Sequence, residues 1–232
     1  MICPRTLPLR LLTFVFLLLV CGSAGAQPHT PRQFQAEIDS ITADDTAHPP
    51  PADAVLFVGS SSIRLWTTLA EDFRGVPTIN RGFGGSFIAD STFYADRIVV
   101  PYRPRLIVMY AGDNDIAEGR SAQQVIDDFK AFVVRVRRDL PDVAIAWLSI
   151  KPSVARAALW PQMRTVNRAI ARWAQTHEGV TFVDVATKML DAHGKPRPEL
   201  LREDGLHMLA AGYAIWIEAL KPVLVRQGFA AH

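Results

Sequence analysis

Residues 54–62 read AVLFVGSSS, a continuous apolar run of strand length that ends on one glycine and three serines. A strand that is apolar at every position is typical of a parallel sheet whose two faces are both covered. Four further strand candidates follow along the chain, at residues 78–80 (TIN), 106–110 (LIVMY), 143–148 (VAIAWL) and 180–183 (VTFV). The sequence therefore predicts a sheet of about five strands.

Helical segments separate these strands. Apolar residues recur at three- and four-residue spacing along Ser121–Leu140, and two further helices are predicted over Leu159–Gln175 and Ala210–Val225. Alternating strands and helices favour an α/β domain in which a mostly parallel sheet lies between two helical layers. We therefore expect a three-layer α/β/α fold.

A short helix is predicted ahead of the first strand. Phe34, Ile38 and Ile41 lie at helical spacing within residues 30–45, and the prolines of residues 47–51 (AHPPP) end the pattern. We therefore divide the chain into an N-terminal helix and linker at residues 27–52 and a main domain at residues 53–232.

The first 26 residues have the pattern of a secretory signal peptide. Arg5 and Arg10 come before an apolar run at residues 11–20, which is about half the length needed to cross a bilayer. Ala24-Gly25-Ala26 then resembles a cleavage site. We expect cleavage after Ala26 and a periplasmic or secreted protein.

Two alternatives concern the same segment: an uncleaved membrane anchor, or a lipoprotein attached at Cys21. Val20 fits a lipidation signal poorly, because a small residue is preferred before the cysteine. Cleavage would remove Cys3 and Cys21, the only two cysteines, and would exclude a disulfide or a thiolate metal site from the mature chain.

The rest of the chain indicates a water-soluble domain. The whole chain is 49% hydrophobic and 21% charged. No apolar stretch after residue 26 approaches 18 residues, so we expect no membrane span in the mature protein. Cleavage would lower the formal charge from +2 to zero, because two arginines and no acids are lost. Without a basic stripe, nucleic acid is an unexpected partner. Nothing in the sequence indicates an oligomeric state.

The chemistry is expected in the loops that follow the strands, where open parallel sheets place their sites. Gly59-Ser60-Ser61-Ser62 follows the first strand. A serine at such a turn can present its hydroxyl and its own N–H to one substrate atom. Taken alone, these residues favour ordinary capping of a helix by serine, since serine is a leading cap residue.

The next two loops are ambiguous when each is taken alone. Gly82-Phe83-Gly84-Gly85 suits either a flexible turn or a close approach of the backbone to a ligand, and it lacks the G-x-G-x-x-G spacing of a dinucleotide site. Gly112-Asp113-Asn114-Asp115 offers a neutral amide donor in Asn114. Its two acids suit a turn, or a hard-cation site without the spacing of an EF-hand.

Asp204-Gly205-Leu206-His207 comes just before the last predicted helix. The three-residue spacing can place the carboxylate beside the imidazole, where it would hold the ring and stabilise the imidazolium. The other histidines have no comparable setting and form no H-E-x-x-H motif, so we predict no metal; they are His29, His48, His177, His193 and His232.

Taken together and in order, these four segments resemble the sequence blocks of the SGNH hydrolases, also called GDSL-type esterases. The resemblance covers roughly residues 53–226 and includes Ala210-Ala211-Gly212-Tyr213 after the last block. It implies a flavodoxin-like fold and a carboxylic ester hydrolase that needs no cofactor and no metal.

The resemblance also implies roles for five residues. Ser61 corresponds to the nucleophile, His207 to the general base and Asp204 to the acid that orients it. Gly85, through its backbone N–H, and Asn114, through its side-chain amide, correspond to oxyanion-hole donors together with the N–H of Ser61. The implied substrates are small-molecule, glycan or lipid esters.

The sequence departs from the family pattern at one position. The usual Gly-Asp-Ser is here Gly59-Ser60-Ser61, which leaves Ser60 and Ser62 as rival nucleophiles. Acyl transfer at the same site, or a non-catalytic carbohydrate- or lipid-binding protein on the same scaffold, are the alternative functions. A metal phosphoesterase is disfavoured, because Asp113 and Asp115 lack histidine partners at suitable spacing.

Several large side chains lie near the strand ends and are candidates to line a pocket. They are Phe83, Phe87, Tyr110, Lys151 and Trp160. We expect core packing for the aromatic residues, and a solvated charge for Lys151.

Overall fold

The computed structural model describes residues 29–230. The predicted signal peptide and its cleavage site lie outside the described residues. Over the part of the chain that is described, no helix is both long enough and apolar enough to cross a bilayer.

Five parallel strands form the central sheet. They are β1 (Val55–Gly59), β2 (Thr78–Gly82), β3 (Leu106–Tyr110), β4 (Ala144–Leu148) and β5 (Val180–Val183), in the order β2-β1-β3-β4-β5. All five predicted strands are confirmed, and β2 extends two residues beyond the prediction because residues 81 and 82 continue its pairing with β1. The strand order reverses direction at β1 and β3, where sheets of this topology place their sites.

Helices connect the strands within residues 29–230. They are α1 (Gln35–Ala43), α2 (Ser61–Arg64), α3 (Leu69–Asp72), α4 (Ile88–Phe93), α5 (Ala95–Ile98), α6 (Asp113–Ala117), α7 (Ala122–Arg137), α8 (Trp160–Ala174) and α9 (Ala210–Arg226). The predicted helices correspond to α1, α7, α8 and α9. Short 3-10 turns also occur, at Pro31–Phe34, Asp44–Thr46, Val100–Tyr102, Ala157–Leu159, Thr187–Met189 and Pro198–Leu200.

Each face of the sheet has its own hydrophobic core. One core holds Ile38 of α1, Phe129 of α7 and Met163 of α8. The other holds Trp66, which follows α2, and Trp216 of α9. The two indole rings pack edge to face, with their centroids 5.8 Å apart. Because both faces are covered, the predicted three-layer α/β/α arrangement is confirmed.

The carboxyl end of β1 is packed tightly against β3. Gly59 has a φ of +133°, and a Cβ there would lie 1.8 Å from the carbonyl oxygen of Tyr110. The next residue, Ser60, donates its N–H to that same oxygen over 2.9 Å. Only glycine fits this position, and the contact holds the start of α2 at the switch point of the sheet.

Helix α1 lies against the loop that follows β2. Phe34 and Ile38 are buried in one of the two cores. A carboxylate oxygen of Glu37 accepts the backbone N–H of Gly84 over 3.1 Å. The N-terminal helix therefore restrains the glycine-rich loop as well as covering the sheet.

Candidate active site

The five sequence-predicted site residues lie at the carboxyl edge of the sheet, and three of them, Ser61, Asp204 and His207, are in direct contact. Ser61 is the first residue of α2, and Asn114 lies in α6, directly after β3. Asp204 and His207 lie in the turn before α9, and His207 reaches Ser61. Gly85 is an exposed residue in the otherwise largely buried loop between β2 and α4.

Three of these side chains form a continuous hydrogen-bonded line. His207 Nε2 lies 3.0 Å from the hydroxyl oxygen of Ser61. His207 Nδ1 lies 2.6 Å from one carboxylate oxygen of Asp204. The other oxygen of Asp204 accepts the backbone N–H groups of Leu206 and of His207, over 2.8 and 2.9 Å. Ser61 and His207 are 146 residues apart in the sequence.

Asp204 is held as a carboxylate in this arrangement. The hydrogen bond from His207 is the largest cause, and together with the backbone N–H groups it holds the pKa of Asp204 well below its usual range. An ionised carboxylate can only accept, so Nδ1 of the imidazole carries the proton. Nε2 is then free to accept the hydroxyl proton of Ser61.

The two neighbouring serines are placed differently. Ser60 and Ser62 are buried, with only 1% and 2% of their surface exposed, whereas Ser61 is half-buried. The hydroxyl of Ser60 has no hydrogen-bond partner in the described part of the chain. Of the three serines, only Ser61 is hydrogen-bonded to the imidazole of His207 in the described part of the chain.

Asn114 is held from two sides. Its amide nitrogen donates to the backbone carbonyl of Ser86 over 3.1 Å. Its amide oxygen accepts from Nη2 of Arg156 over 2.9 Å. A primary amide has two N–H bonds, and the contact with Ser86 uses one of them. The second N–H remains as a donor.

Gly85 lies directly before Ser86, whose carbonyl accepts the hydrogen bond from the Asn114 amide. Its φ is +75°, and nothing lies within 4 Å of the place where a Cβ would be. Its backbone therefore borders open space, as a donor to an incoming ligand would. Ser86 next to it is buried and donates its hydroxyl to the carbonyl of Phe83 over 3.0 Å, which closes the loop on itself.

The expectation of a solvated charge at Lys151 is wrong. Lys151 is only 1% exposed, and its ammonium nitrogen lies 3.6 Å from a carboxylate oxygen of buried Asp113. Burial lowers the pKa of Lys151, and the carboxylate of Asp113 opposes this effect. The side chain of Lys151 is therefore placed beside a buried carboxylate and is not solvated. The expected core packing of Phe83, Phe87 and Tyr110 is confirmed, since all three are buried, whereas Trp160 is half-buried.

The expectation that His29 has no setting comparable with that of His207 is also wrong. Its Nε2 lies 2.7 Å from a carboxylate oxygen of Asp90, and its ring stacks on Phe87 with centroids 3.5 Å apart. Asp90 is fully buried. The partner is 61 residues away in the sequence, so the local pattern around His29 does not reveal it. No serine contacts His29 among the hydrogen bonds of the described residues.

The buried carboxyl group of Asp115 should make the stability of the protein depend on pH. It is fully buried, and it accepts the N–H of Ile88 over 3.2 Å. Burial, as the largest cause, raises its pKa to about 7 from an ordinary 3.8. Between these values the folded protein keeps a proton that the unfolded chain has lost, so the contribution of Asp115 to stability is fully present below about pH 4 and is lost as the pH rises through about 7.

We therefore expect Asp115→Asn to flatten this dependence. At about 1.4 kcal/mol per pKa unit, the wild type should lose on the order of 4 kcal/mol of unfolding free energy through this group between pH 4 and pH 8. Urea unfolding at several pH values measures the difference between the two proteins. Asp127→Asn, at an exposed position of α7, is the control and should keep the wild-type slope. Parallel slopes for Asp115→Asn and the wild type would contradict the assignment.

Within residues 29–230, no group of three or more histidine, cysteine, aspartate or glutamate side chains is placed to hold a metal ion. Asp113, which the sequence offered as a hard-cation ligand, is instead paired with Arg156 over 3.0 Å.

A protein-family model described as the GDSL-like lipase/acylhydrolase family matches residues 39–215, which is more than half of the chain. A search of curated proteins finds no match to this sequence.

Solved structures of similar fold cover most of the chain. One is a protein from Streptococcus pneumonia whose description names platelet activating factor. Its sequence is 24% identical to this chain, and the two structures match with a TM-score of 0.73 over 83% of this chain and 94% of that protein. A GDSL-like lipase from Bacteroides thetaiotaomicron is 19% identical, with a TM-score of 0.68 over 85% of this chain and 98% of its own. A catalytic mutant of an acetylxylan esterase from Geobacillus stearothermophilus is 16% identical, with a TM-score of 0.60 over 78% of this chain and 96% of its own. At these identities the likeness concerns the fold.

Proposed function

The chain belongs to the GDSL-like lipase/acylhydrolase family, and we propose that it is a serine esterase that hydrolyses acyl or acetyl esters through an acyl-enzyme. The observation that carries the proposal is the 3.0 Å contact between the Ser61 hydroxyl and His207 Nε2, with Asp204 behind the ring. A serine hydroxyl is a weak nucleophile until an adjacent base removes its proton.

In the first half of the reaction, His207 takes the hydroxyl proton while Ser61 Oγ bonds to the carbonyl carbon of the ester. The carbonyl oxygen then carries the negative charge. His207, stabilised as imidazolium by Asp204, returns the proton to the leaving alcohol as the tetrahedral intermediate collapses. The products are the free alcohol and an acyl group on Ser61.

The negative oxygen of the intermediate needs donors that are already in position. We assign this role to the backbone N–H groups of Ser61 and Gly85 and to the unused N–H of Asn114. The fixed orientation of the Asn114 amide and the open space beside Gly85 support this assignment.

In the second half, a water molecule gives its proton to His207 and attacks the acyl carbon. The same donors hold the oxyanion, and collapse of the intermediate returns the proton to Ser61 Oγ and releases the acid. These steps use only protein groups and water.

Small-molecule, glycan or lipid esters are the proposed substrates. The acetylxylan esterase and the GDSL-like lipase of similar fold are named for ester substrates of different kinds, so they support an ester without selecting one. The signal-like pattern of residues 1–26 supports a secreted or periplasmic location.

Covalent labelling tests the proposal directly. A fluorophosphonate should react once per chain, and mass analysis of the digested protein should place the adduct on Ser61. His207→Ala should label far more slowly, because the hydroxyl then lacks its base. An adduct on Ser60 or Ser62, or no labelling of a folded wild-type protein, would overturn the proposal.

A panel of acetyl and longer acyl esters, run with and without an added alcohol, then defines the reaction. Hydrolysis releases the free acid in both cases. Predominant formation of a new ester from the added alcohol would instead establish acyl transfer through the same acyl-enzyme.

A further inference from the structure

Arg156 lies in the loop after β4 and reaches the side chain of Asn114. Its Nη2 donates to the amide oxygen of Asn114 over 2.9 Å, and its Nη1 lies 3.0 Å from a carboxylate oxygen of Asp113. The two contacted residues are adjacent in α6, so one guanidinium spans both. The same loop is attached to the turn that carries His207, because Ala155 donates its N–H to the carbonyl of Gly205 over 3.0 Å.

The two contacts of the Asn114 amide are compatible with only one orientation. A guanidinium has donors and no acceptor, so it must face the amide oxygen. The carbonyl of Ser86 only accepts, so it must face the amide nitrogen. Rotation of the amide by 180° would oppose donor to donor on one side and acceptor to acceptor on the other. It would also replace the free N–H with an oxygen.

The guanidinium is itself held in place by charge. Its side chain is only 17% exposed, and Asp113 beside it is buried. Lys151 adds a second cationic side chain 3.6 Å from the same carboxylate oxygen. Asp113 is buried and Arg156 is largely shielded from water, so separating this pair would leave a buried carboxylate less well compensated, which is costly.

We propose, on the basis of the serine-esterase function proposed above, that Arg156 is a positioning residue that locks the Asn114 amide with its N–H directed at the oxyanion. Arg156 acts through Asn114 and does not itself contact the reacting atoms. Without it, only the carbonyl of Ser86 restrains the amide, and for part of the time the amide is rotated so that its oxygen opposes the developing charge.

This role has a kinetic signature. The contact between Asn114 and the oxyanion forms mainly in the transition state, so the loss of Arg156 should lower kcat and leave KM nearly unchanged. Removing an oxyanion donor outright typically costs about 10²- to 10³-fold in kcat. We therefore expect Arg156→Gln to lower kcat by about 10- to 100-fold, because the donor is misdirected and not absent.

A double-mutant cycle with Asn114→Ala provides the decisive test. If Arg156 acts through Asn114, Arg156→Gln should lower kcat by no more than about three-fold in the Asn114→Ala background. An equal fold-loss of kcat in both backgrounds would overturn the inference, as would a rise in KM with kcat unchanged.

Two further variants separate positioning from folding. Arg156→Ala should recover part of its kcat when guanidinium is added at a non-denaturing concentration, whereas ammonium at the same ionic strength should not restore it. Arg156→Lys keeps the positive charge but loses the planar fork, so its kcat should lie between those of Arg156→Gln and the wild type. Failure of guanidinium to rescue a folded Arg156→Ala would contradict the positioning role.

Arg135→Gln is the matched control. Arg135 is 14% exposed and pairs with Asp139 over 2.6 Å, but it lies near the end of α7, at the opposite edge of the sheet from Ser61. Its replacement should leave kcat unchanged. Wild-type turnover that survives in Ser61→Ala would refute the esterase function itself. A Ser61-dependent activity without coupling between Arg156 and Asn114 would refute only the role of Arg156.

Discussion

Ser61→Ala should lower kcat for ester hydrolysis by about 10³- to 10⁶-fold, with the fold and the thermal midpoint nearly unchanged. The hydroxyl is half-buried at the protein surface, and its replacement by a methyl group removes one hydrogen bond to His207 and no core contact. The rate that remains would come from oxyanion donors that still bind the ester. Initial rates on an activated acyl ester, with thermal unfolding followed by circular dichroism, measure both quantities.

The neighbouring serines provide controls from the same loop. Ser60→Ala and Ser62→Ala remove equally small groups, but these serines are buried and do not contact the imidazole. We expect their kcat to stay within about ten-fold of the wild type, since any effect must pass through the geometry of the loop. Wild-type activity in Ser61→Ala, together with a collapse in Ser60→Ala or Ser62→Ala, would transfer the nucleophile to a different serine.

The central sheet could be predicted from the sequence because its inner strands, β1, β3 and β4, are buried on both faces. A parallel strand such as Leu106–Tyr110 is apolar at every position and therefore stands out without any knowledge of its neighbours. The long helix α7 was equally visible, because its apolar residues face a core on one side only. Its start at Ala122 follows a capping box between Ser121 and Gln124, two residues whose side chains satisfy each other's backbone N–H groups.

The short helices were missed for a physical reason. α2 and α6 have four and five residues, which is too short for a helical period to show in the sequence. They exist because the chain turns sharply after Gly59 and after Gly112, both of which have a positive φ. Tertiary contacts fix such turns, and a single helical turn has little stability by itself.

The line formed by Ser61, His207 and Asp204 was predicted from motif order, and the structure brings these side chains into contact. What surrounds them was not predicted. Arg156 lies 42 residues from Asn114, and an arginine in a loop looks like a solvated charge until its partner is known. Lys151 in the same loop was misjudged for this reason. The one local indication was two basic residues in a loop that follows a buried strand at the edge of the sheet where sites form.

Asn114→Ala should lower kcat by about 10²- to 10³-fold and change KM little, because the lost N–H stabilises charge that develops only in the transition state. The substitution also removes the acceptor for Arg156 and the donor to Ser86, so a loss of activity could reflect a disordered loop instead. A second variant at the same position separates these two explanations.

Asn114→Asp keeps the shape of the side chain and an oxygen that can accept from Arg156, and it replaces only the amide NH₂. A carboxylate oxygen would then face the oxyanion and repel it. If the amide donates in the transition state, Asn114→Asp should be at least as slow as Asn114→Ala in a protein that still unfolds cooperatively, with some loss of thermal stability because the carboxylate then faces the carbonyl of Ser86. If the residue serves only to anchor Arg156, the aspartate should restore most of the activity. Recovery of wild-type kcat in Asn114→Asp would remove Asn114 from the oxyanion hole, and steady-state kinetics of the two variants on one ester decide between these outcomes.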